Sequence, residues 1–138
     1  ISGNYGAGLN TAAEATVSGV EAVNMYLPAA KLTGSTIAVG SPIDGKNYFL
    51  LTKIGSTTGV GSFGASTNPL TAAESHSIDS KIDDGLPATG IVFAIDATGS
   101  LNIATTWKTV SAVAGCVASS AYAVTQTTQS CSLRFRFQ

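Results

Sequence analysis

Charged residues are scarce in this sequence. They make up 11% of its 138 residues, against roughly 25% in an average soluble domain, and the formal net charge is −1. Nucleic-acid binding needs clustered basic side chains, whereas the seven Lys and Arg residues here are scattered, so nucleic acid is not expected as a primary partner. A neutral surface rich in hydroxyl groups has little charge repulsion and suits close packing beside identical subunits. An ordinary secreted domain with a Ser/Thr-rich coat is the alternative.

Long apolar runs and histidines are also few. No run of 18 apolar residues is present, so none of these residues is expected to span a membrane. The one histidine, His76, cannot complete a usual zinc site with two cysteines. Ser75 and Ser77 flank it and Asp79 lies nearby, but adjacent helical positions point away from each other, and no nucleophile-elbow motif is present. We therefore expect no enzymatic activity.

The two cysteines lie near the C-terminus. Cys116 and Cys131 belong to no CxxC motif, and a disulfide between them would close a loop of about 15 residues and stabilise the fold by about 3 kcal/mol. Such a bond indicates an oxidising compartment. Two unrelated buried thiols are the alternative.

The first third of the sequence predicts one helix after a flexible start. Residues 1–17 are rich in glycine and small side chains, which favours a linker. Two capping-box patterns, at residues 11–14 and 18–21, precede apolar positions at helical spacing from Val20. Pro28 lacks the amide that helix continuation needs, so we expect the helix to bend or stop near Leu27, with Gly34 as its last possible stop.

Beyond Gly34 the sequence alternates between strand and helix signals. A third capping box, Thr71 to Glu74, predicts a short helix to residue 82, with Ile78 and Ile82 facing the core. Residues 55–69 are expected to form a loop. The predicted strands are residues 36–39, 47–54, 91–95, 101–104, which would return as a hairpin, and 132–137.

These elements predict a single α+β domain over residues 1–138. Its short helices pack on one face of an antiparallel sheet. In the last strand Leu133, Phe135 and Phe137 alternate with Arg134 and Arg136, so one face should meet the core and the other solvent or a neighbour. The arginines are expected to pair with carboxylates of an adjacent subunit or to form a solvated strand edge.

One segment carries a family resemblance. Residues 77–90, SIDSKIDDGLPATG, followed by the strand sequence IVFAI, resemble the signature of bacterial prepilin-type proteins, an Ile-Asp-x-Lys-x-Asp-Asp-Gly-x-Pro-x-x-Gly segment before a sheet strand. Residues 21–34 are more weakly similar to the family's helix end, with Lys31 in place of a glycine. The cysteine pair resembles the disulfide-closed region of type IV pilins. The signature positions are Asp79, Lys81, Asp83, Asp84, Gly85, Pro87 and Gly90.

The resemblance implies a pilin-like globular head with a structural role. It implies a filament of identical subunits at the cell surface, assembled from the inner membrane and periplasm, with surface attachment as its function. The family's long hydrophobic N-terminal helix, absent from these residues, is expected to belong to the same polypeptide or to a separate small chain, and it would provide the only link to a membrane. A pseudopilin or minor pilin of a type II secretion system is the runner-up.

A secreted calcium- or glycan-binding module is the remaining alternative. Asp79, Asp83 and Asp84 are close enough in sequence to cluster carboxylate oxygens for calcium, although the simpler interpretation is a helix stop with an Asp side chain bonded to its own turn. We expect no other cofactor. A glycan would need an exposed aromatic patch, for which packing residues are the simpler interpretation. Its candidates are Tyr5, Tyr26, Tyr48 and Trp107.

Overall fold

The computed structural model describes residues 17–18, 27–32, 34–40, 44–57, 62–102 and 113–137. Within these ranges it contains ten strands and one helix. The strands are β1 (Val17–Ser18), β2 (Thr36–Gly40), β3 (Tyr48–Thr52), β4 (Ser56–Thr57), β5 (Ser62–Ser66), β6 (Val92–Ile95), β7 (Gly99–Asn102), β8 (Val117–Ala118), β9 (Ala121–Tyr122) and β10 (Ser132–Arg136), and the helix is α1 (Ala72–Ile82).

The main sheet has four antiparallel strands in the order β2-β3-β10-β6. Strand β10 lies in its interior, pairing Leu133 with Leu51 of β3 and with Ala94 of β6. The predicted strands at residues 36–39, 47–54, 91–95 and 132–137 are therefore confirmed. The expectation of a solvated strand edge for Arg134 and Arg136 is wrong, because both flanks of β10 are paired.

Both faces of the main sheet carry apolar side chains, as the alternation along a strand requires. One face contributes Leu50 and Phe93 to a cluster that includes Phe63 of β5. The opposite face contributes Leu51, Val92, Ala94 and Leu133 to a second cluster under α1 and the C-terminal loop. The core thus lies on both sides of one sheet.

The second sheet, β1-β4-β5-β7, corrects two predictions. Residues 55–69 contain β4 and β5, although their Gly, Ser and Thr composition predicted a loop. The hairpin to residues 101–104 is also wrong, since β7 pairs with β5 instead of β6. The side-chain amide of Asn68 explains the change of direction: it accepts the N–H of Ala97 at 2.9 Å and donates to Asp96 at 3.1 Å, which carries the chain away from β6.

The predicted helix at residues 71–82 is confirmed. Thr71 is the N-cap of α1, and its capping box with Glu74 is complete: the Thr71 hydroxyl accepts the Glu74 N–H, and the Glu74 carboxylate accepts the Thr71 N–H at 2.8 Å. The α+β class is confirmed with this one helix in the described residues. No helix in those ranges is both long and apolar enough to cross a membrane.

Several predictions concern residues outside the described ranges. They include most of the helix from Val20, the hairpin end at residues 103–104, and Tyr5, Tyr26 and Trp107 of the aromatic patch. Residues 27–32 are described and are not helical, consistent with a stop near Leu27. Of the predicted flexible segment only Val17 is described, and it pairs with Thr57.

Candidate functional site

The face of α1 that meets the core is small and polar. Its buried residues are Ala72, Ser75 and Asp79, and Ile78 packs partly against the cluster. The prediction for Ile82 is wrong, because this residue is 52% exposed. Asp79, one turn before the end of α1, points inward because its carboxylate binds two other segments of the chain.

Asp79 ties α1 to two other segments. One carboxylate oxygen accepts the backbone N–H of Gly85 at 3.1 Å, and the other accepts the hydroxyl of Tyr122 on β9 at 2.8 Å. Burial raises the pKa of Asp79 against the lowering effect of these two donors. Burial and the bond to Asp79 raise the pKa of Tyr122 far above its usual range, which favours the protonated hydroxyl that donates to Asp79.

Asp83, the C-cap of α1, reaches forward to the start of β6. Its carboxylate accepts the N–H groups of Ile91 and of Val92, the latter at 3.2 Å. Gly90 makes this approach possible: its φ is +71°, and a Cβ atom there would lie 1.7 Å from an Asp83 carboxylate oxygen. Asp83 and Gly90 therefore depend on each other.

Asp84 closes the turn between these two contacts. Its carboxylate accepts the Leu86 N–H at 2.9 Å and the Thr89 hydroxyl. The Thr89 hydroxyl and then the Leu86 N–H lower the pKa of Asp84. Gly85, at φ +74°, supplies the left-handed backbone that the turn requires.

Residues 79–90, here called the acidic segment, cover the outer edge of β6. The outward N–H of Val92 is bound by Asp83, and that of Ala94 is bound at 2.9 Å by the carbonyl oxygen of Pro87. An uncovered strand edge is a site of unwanted pairing, so this segment closes the main sheet on one side. Lys81 lies exposed in the last turn of α1, where its charge complements the helix dipole.

The three aspartates also form the acidic cluster predicted for calcium. Oxygens of Asp79, Asp83 and Asp84 all lie within 4.8 Å of one another. Every one of these carboxylates already accepts protein N–H or O–H groups, and those bonds account for their positions. The arrangement corresponds to the helix stop that the sequence offered as the simpler interpretation, while calcium binding stays a prediction.

The predicted disulfide is confirmed. Cys116 and Cys131 are bonded, both are fully buried, and the residues between them include the β8–β9 hairpin. Leu70, just before α1, exchanges backbone hydrogen bonds with Cys131. The bond therefore fastens the C-terminal loop over the same sheet face that α1 covers.

Beyond these covers, none of the described residues packs over the remainder of the same face of the main sheet. Val39 on β2 is 57% exposed and Phe49 on β3 is 42% exposed. They belong to an apolar groove of about 840 Å³, here called the groove, whose floor is the β2-β3-β10 part of the sheet and whose wall is the chain at residues 27–32. Its described lining residues are Leu27, Pro28, Ala30, Lys31, Leu32, Ile37, Val39, Phe49, Leu51 and Phe135.

The floor of the groove is apolar and about as wide as an α-helix. Three neighbouring strands, at roughly 4.8 Å spacing, make a floor roughly 10 Å across, which matches the diameter of an α-helix. Phe137 extends the floor by stacking on Phe49, with ring centroids 4.4 Å apart. A second depression of about 370 Å³ shares Leu32 with the groove and is also lined by Ile78 on α1.

The opposite sheet face holds Arg134 and the one described residue of the predicted aromatic patch. Tyr48 is buried, and the Arg134 guanidinium lies 4.6 Å from its ring centroid and 4.8 Å from that of Phe93. Arg134 is itself only 5% exposed. Tyr48 is thus a packing residue, and Arg134 is stacked inside the fold instead of facing solvent.

The polar residues around His76 are separated by the helix. Ser75 is buried while His76 is exposed, and the His76 ring contacts Tyr122 edge-on with a centroid distance of 5.8 Å. Ser80 Oγ lies 3.3 Å from His76 Nε2. The Asp79 carboxylate is engaged with Gly85 and Tyr122, so it does not orient His76.

Sequence reasoning placed Phe135 and Phe137 on one strand face but did not identify the groove as a site. Comparison with known proteins adds no family: no family model matches the chain, and no curated protein or solved structure matches it either.

Proposed function

We propose that this chain is the globular head of a type IV pilin-like subunit, a structural component of an extracellular filament. The observation that carries the proposal is the groove, an apolar surface that no described residue covers, whereas the other face of the same sheet is packed. Subunits of this kind use a long hydrophobic helix for anchoring and polymerisation. The groove is wide and apolar enough to hold such a helix, whether it belongs to the same polypeptide or to a separate small chain.

The energetics favour an occupant. Full burial of a large apolar side chain contributes about 1.5–3 kcal/mol, so covering half-exposed residues such as Val39, Phe49 and Phe137 contributes about 1 kcal/mol each. A large exposed apolar patch on a soluble domain commonly marks an interaction site. A helix docked here would complete the sheet face that α1 and the C-terminal loop leave open.

The rest of the domain suits a filament. Its low charge permits close packing of identical copies, and head-to-tail contacts between identical subunits generate open helical assemblies. The disulfide fits assembly outside the cytoplasm. The acidic segment closes the β6 edge, so the contacts between subunits are not expected to form there by strand pairing.

A matched pair of valine variants tests this function. Val39 and Val124 are 57% and 48% exposed, but only Val39 lines the groove. In cells that produce the protein, Val39→Asp should lower its amount in sheared surface filaments at least about tenfold, because a charge in the groove opposes helix docking. Val124→Asp should leave that amount unchanged.

Circular dichroism of the purified variants provides the control for folding, since both substitutions are at exposed sites and should change stability little. Two results would contradict the proposal: equal amounts of both variants in the filaments, or surface filaments that lack the unsubstituted chain altogether.

A further inference from the structure

The chain contains two Asp–Gly sequences, Asp44–Gly45 and Asp84–Gly85. Aspartate followed by glycine is prone to form a cyclic succinimide, because glycine has no side chain to hinder attack of its backbone nitrogen on the preceding side-chain carboxyl. Water then reopens the ring to give either aspartate or isoaspartate. In isoaspartate the backbone runs through the side chain, and the mass of the chain is unchanged.

The local geometry of the two Asp–Gly sequences is nearly the same. In each, one oxygen of the Asp carboxylate accepts the backbone N–H two residues later, at 3.0 Å from Lys46 and at 2.9 Å from Leu86. The other oxygen accepts a hydroxyl, from Tyr48 in the first sequence and from Thr89 in the second. The φ angles of the two glycines are +70° and +74°. Local conformation therefore gives neither sequence an advantage in succinimide formation.

The surroundings of the two glycines differ. Gly85 is buried, its N–H is donated at 3.1 Å to the Asp79 carboxylate, and a Cβ atom added to it would lie 2.6 Å from the Ser80 hydroxyl oxygen. Gly45 is exposed, no atom lies within 4 Å of an added Cβ, and none of the described residues accepts its N–H. Succinimide formation needs rotation of the Asp–Gly peptide and loss of the glycine N–H proton, so the fold opposes it at Gly85 and not at Gly45.

We infer that Asp44 is a site of spontaneous isoaspartate formation in the folded chain, whereas the acidic segment protects Asp84 from the same reaction. The Gly45 nitrogen bonds to Cγ of the protonated Asp44 carboxyl as the C–OH bond breaks, and the hydroxyl leaves with the N–H proton as water. Addition of water to the other carbonyl of the ring leaves Asp44 joined to Gly45 through Cγ. The reaction requires only water and is independent of the proposed function.

Isoaspartate at position 44 should disturb the start of β3. It lengthens the backbone by one methylene group and moves the carboxylate, so the hydrogen bond from the Tyr48 hydroxyl, now 2.6 Å long, would be lost. Tyr48 is buried, packs edge-on against Phe93 and lies beneath the Arg134 guanidinium. The modified chain should therefore unfold at a lower denaturant concentration than the unmodified chain.

Peptide mapping of the purified chain after incubation for weeks at neutral pH tests this assignment. Fragmentation in the mass spectrometer distinguishes isoaspartate from aspartate at each position. In the folded chain isoaspartate should accumulate at least about fivefold faster at position 44 than at position 84, because a hydrogen bond to a charged group holds the Gly85 nitrogen. In urea with reductant the fold is lost, and the two rates should become similar.

Gly45→Ala provides the matched control. The added methyl group hinders attack by the backbone nitrogen, so isoaspartate at position 44 should be suppressed while the rate at position 84 is unchanged. Circular dichroism verifies that the variant is folded. Equal rates at the two positions in the folded chain, or a faster rate at position 84, would overturn the assignment. A ratio of rates that is the same in urea would also overturn it, since neighbouring sequence and not the fold would then decide the site.

Discussion

The two halves of one sheet face differ sharply in what covers them. In the closed half, formed by β6 and the start of β10, Val92, Ala94 and Leu133 are completely buried. In the open half, formed by β2 and β3, Val39 and Phe49 are about half exposed. Strands of the same sheet, with the same alternation of side chains, thus end in opposite environments. Burial is decided by what packs on a strand, not by the sequence of the strand alone.

Three connected parts of the chain cover the closed half. The acidic segment covers the β6 edge, α1 covers the face, and the disulfide-bonded loop fastens both through Tyr122 and Cys131. Nothing comparable in the described ranges covers Val39 and Phe49. We interpret this asymmetry as the division between a self-sufficient core and a docking surface, and the substitutions below test it.

The largest expected effect is at the Asp83–Gly90 contact, which covers the edge of β6. Gly90→Ala places a methyl group against the Asp83 carboxylate and adds backbone strain, because its φ is +71°. The strain costs about 1–2 kcal/mol and the lost charge-assisted hydrogen bonds about 1.5–3 kcal/mol, so stability in urea titrations should fall by about 4 kcal/mol.

Gly45→Ala is the matched control for that substitution in the open half. Gly45 precedes β3 with φ +70°, but no atom lies within 4 Å of the added Cβ. Only the backbone strain remains, and the expected loss is about 1–2 kcal/mol. Equal losses at the two glycines would show that the Asp83 contact contributes nothing to the closed half.

Loss of the disulfide should have the next largest effect. Cys116→Ser removes a cross-link between residues 15 apart in sequence, which corresponds to about 3 kcal/mol and lowers the melting temperature by roughly 10 °C. Thermal unfolding followed by circular dichroism measures the shift. Reductant should destabilise the unsubstituted chain but not the variant. A melting curve of the unsubstituted chain that is unchanged by strong reductant would contradict a structural role for the disulfide.

Tyr122 should show a smaller, pH-dependent effect. Tyr122→Phe leaves one oxygen of the buried Asp79 without its hydroxyl donor, which costs about 2 kcal/mol. Tyr48→Phe in β3 should cost less, because its partner Asp44 is exposed and can bind water instead. Denaturant titrations of the two variants at neutral pH compare the buried Tyr122–Asp79 bond of the closed half with the Tyr48–Asp44 bond on the opposite sheet face.

The sign of the pH dependence follows from the raised pKa of Tyr122. Above about pH 10 the tyrosine ionises in the unfolded chain but stays protonated in the folded one, so the unfolded state releases more protons and stability falls as pH rises. Tyr122→Phe should weaken this alkaline loss. An identical alkaline profile in the variant would contradict the buried Tyr122–Asp79 bond.

Local signals predicted a substantial part of this structure. The capping box at Thr71, the strands around Tyr48 and Val92, and the cysteine pair are set by neighbouring residues or by a chemical preference, and each is confirmed. The inward turn of Asp79 was not predicted, because its partner Tyr122 is 43 positions away. An apolar residue such as Ile82 was favoured for the core because hydrophobic spacing cannot detect a buried hydrogen bond.

Strand partners and the groove depend on distant pairing and could not be derived from periodicity. The Gly, Ser and Thr composition of residues 55–69 indicates a loop, and β5 exists because β4 and β7 pair with it. The groove is formed by strands whose apolar residues resemble any buried strand. Val39 and Val92 differ in what packs against them in the folded chain, so that Val39 is exposed and Val92 is buried.

Electron cryo-microscopy of native surface filaments from the producing cells tests the central claim most directly. We predict that the head density accommodates this fold and that a helix lies across β2, β3 and β10, in contact with Val39, Phe49 and Phe135. Filaments in which this head is present but the groove faces solvent, or in which no density accommodates the head, would contradict it.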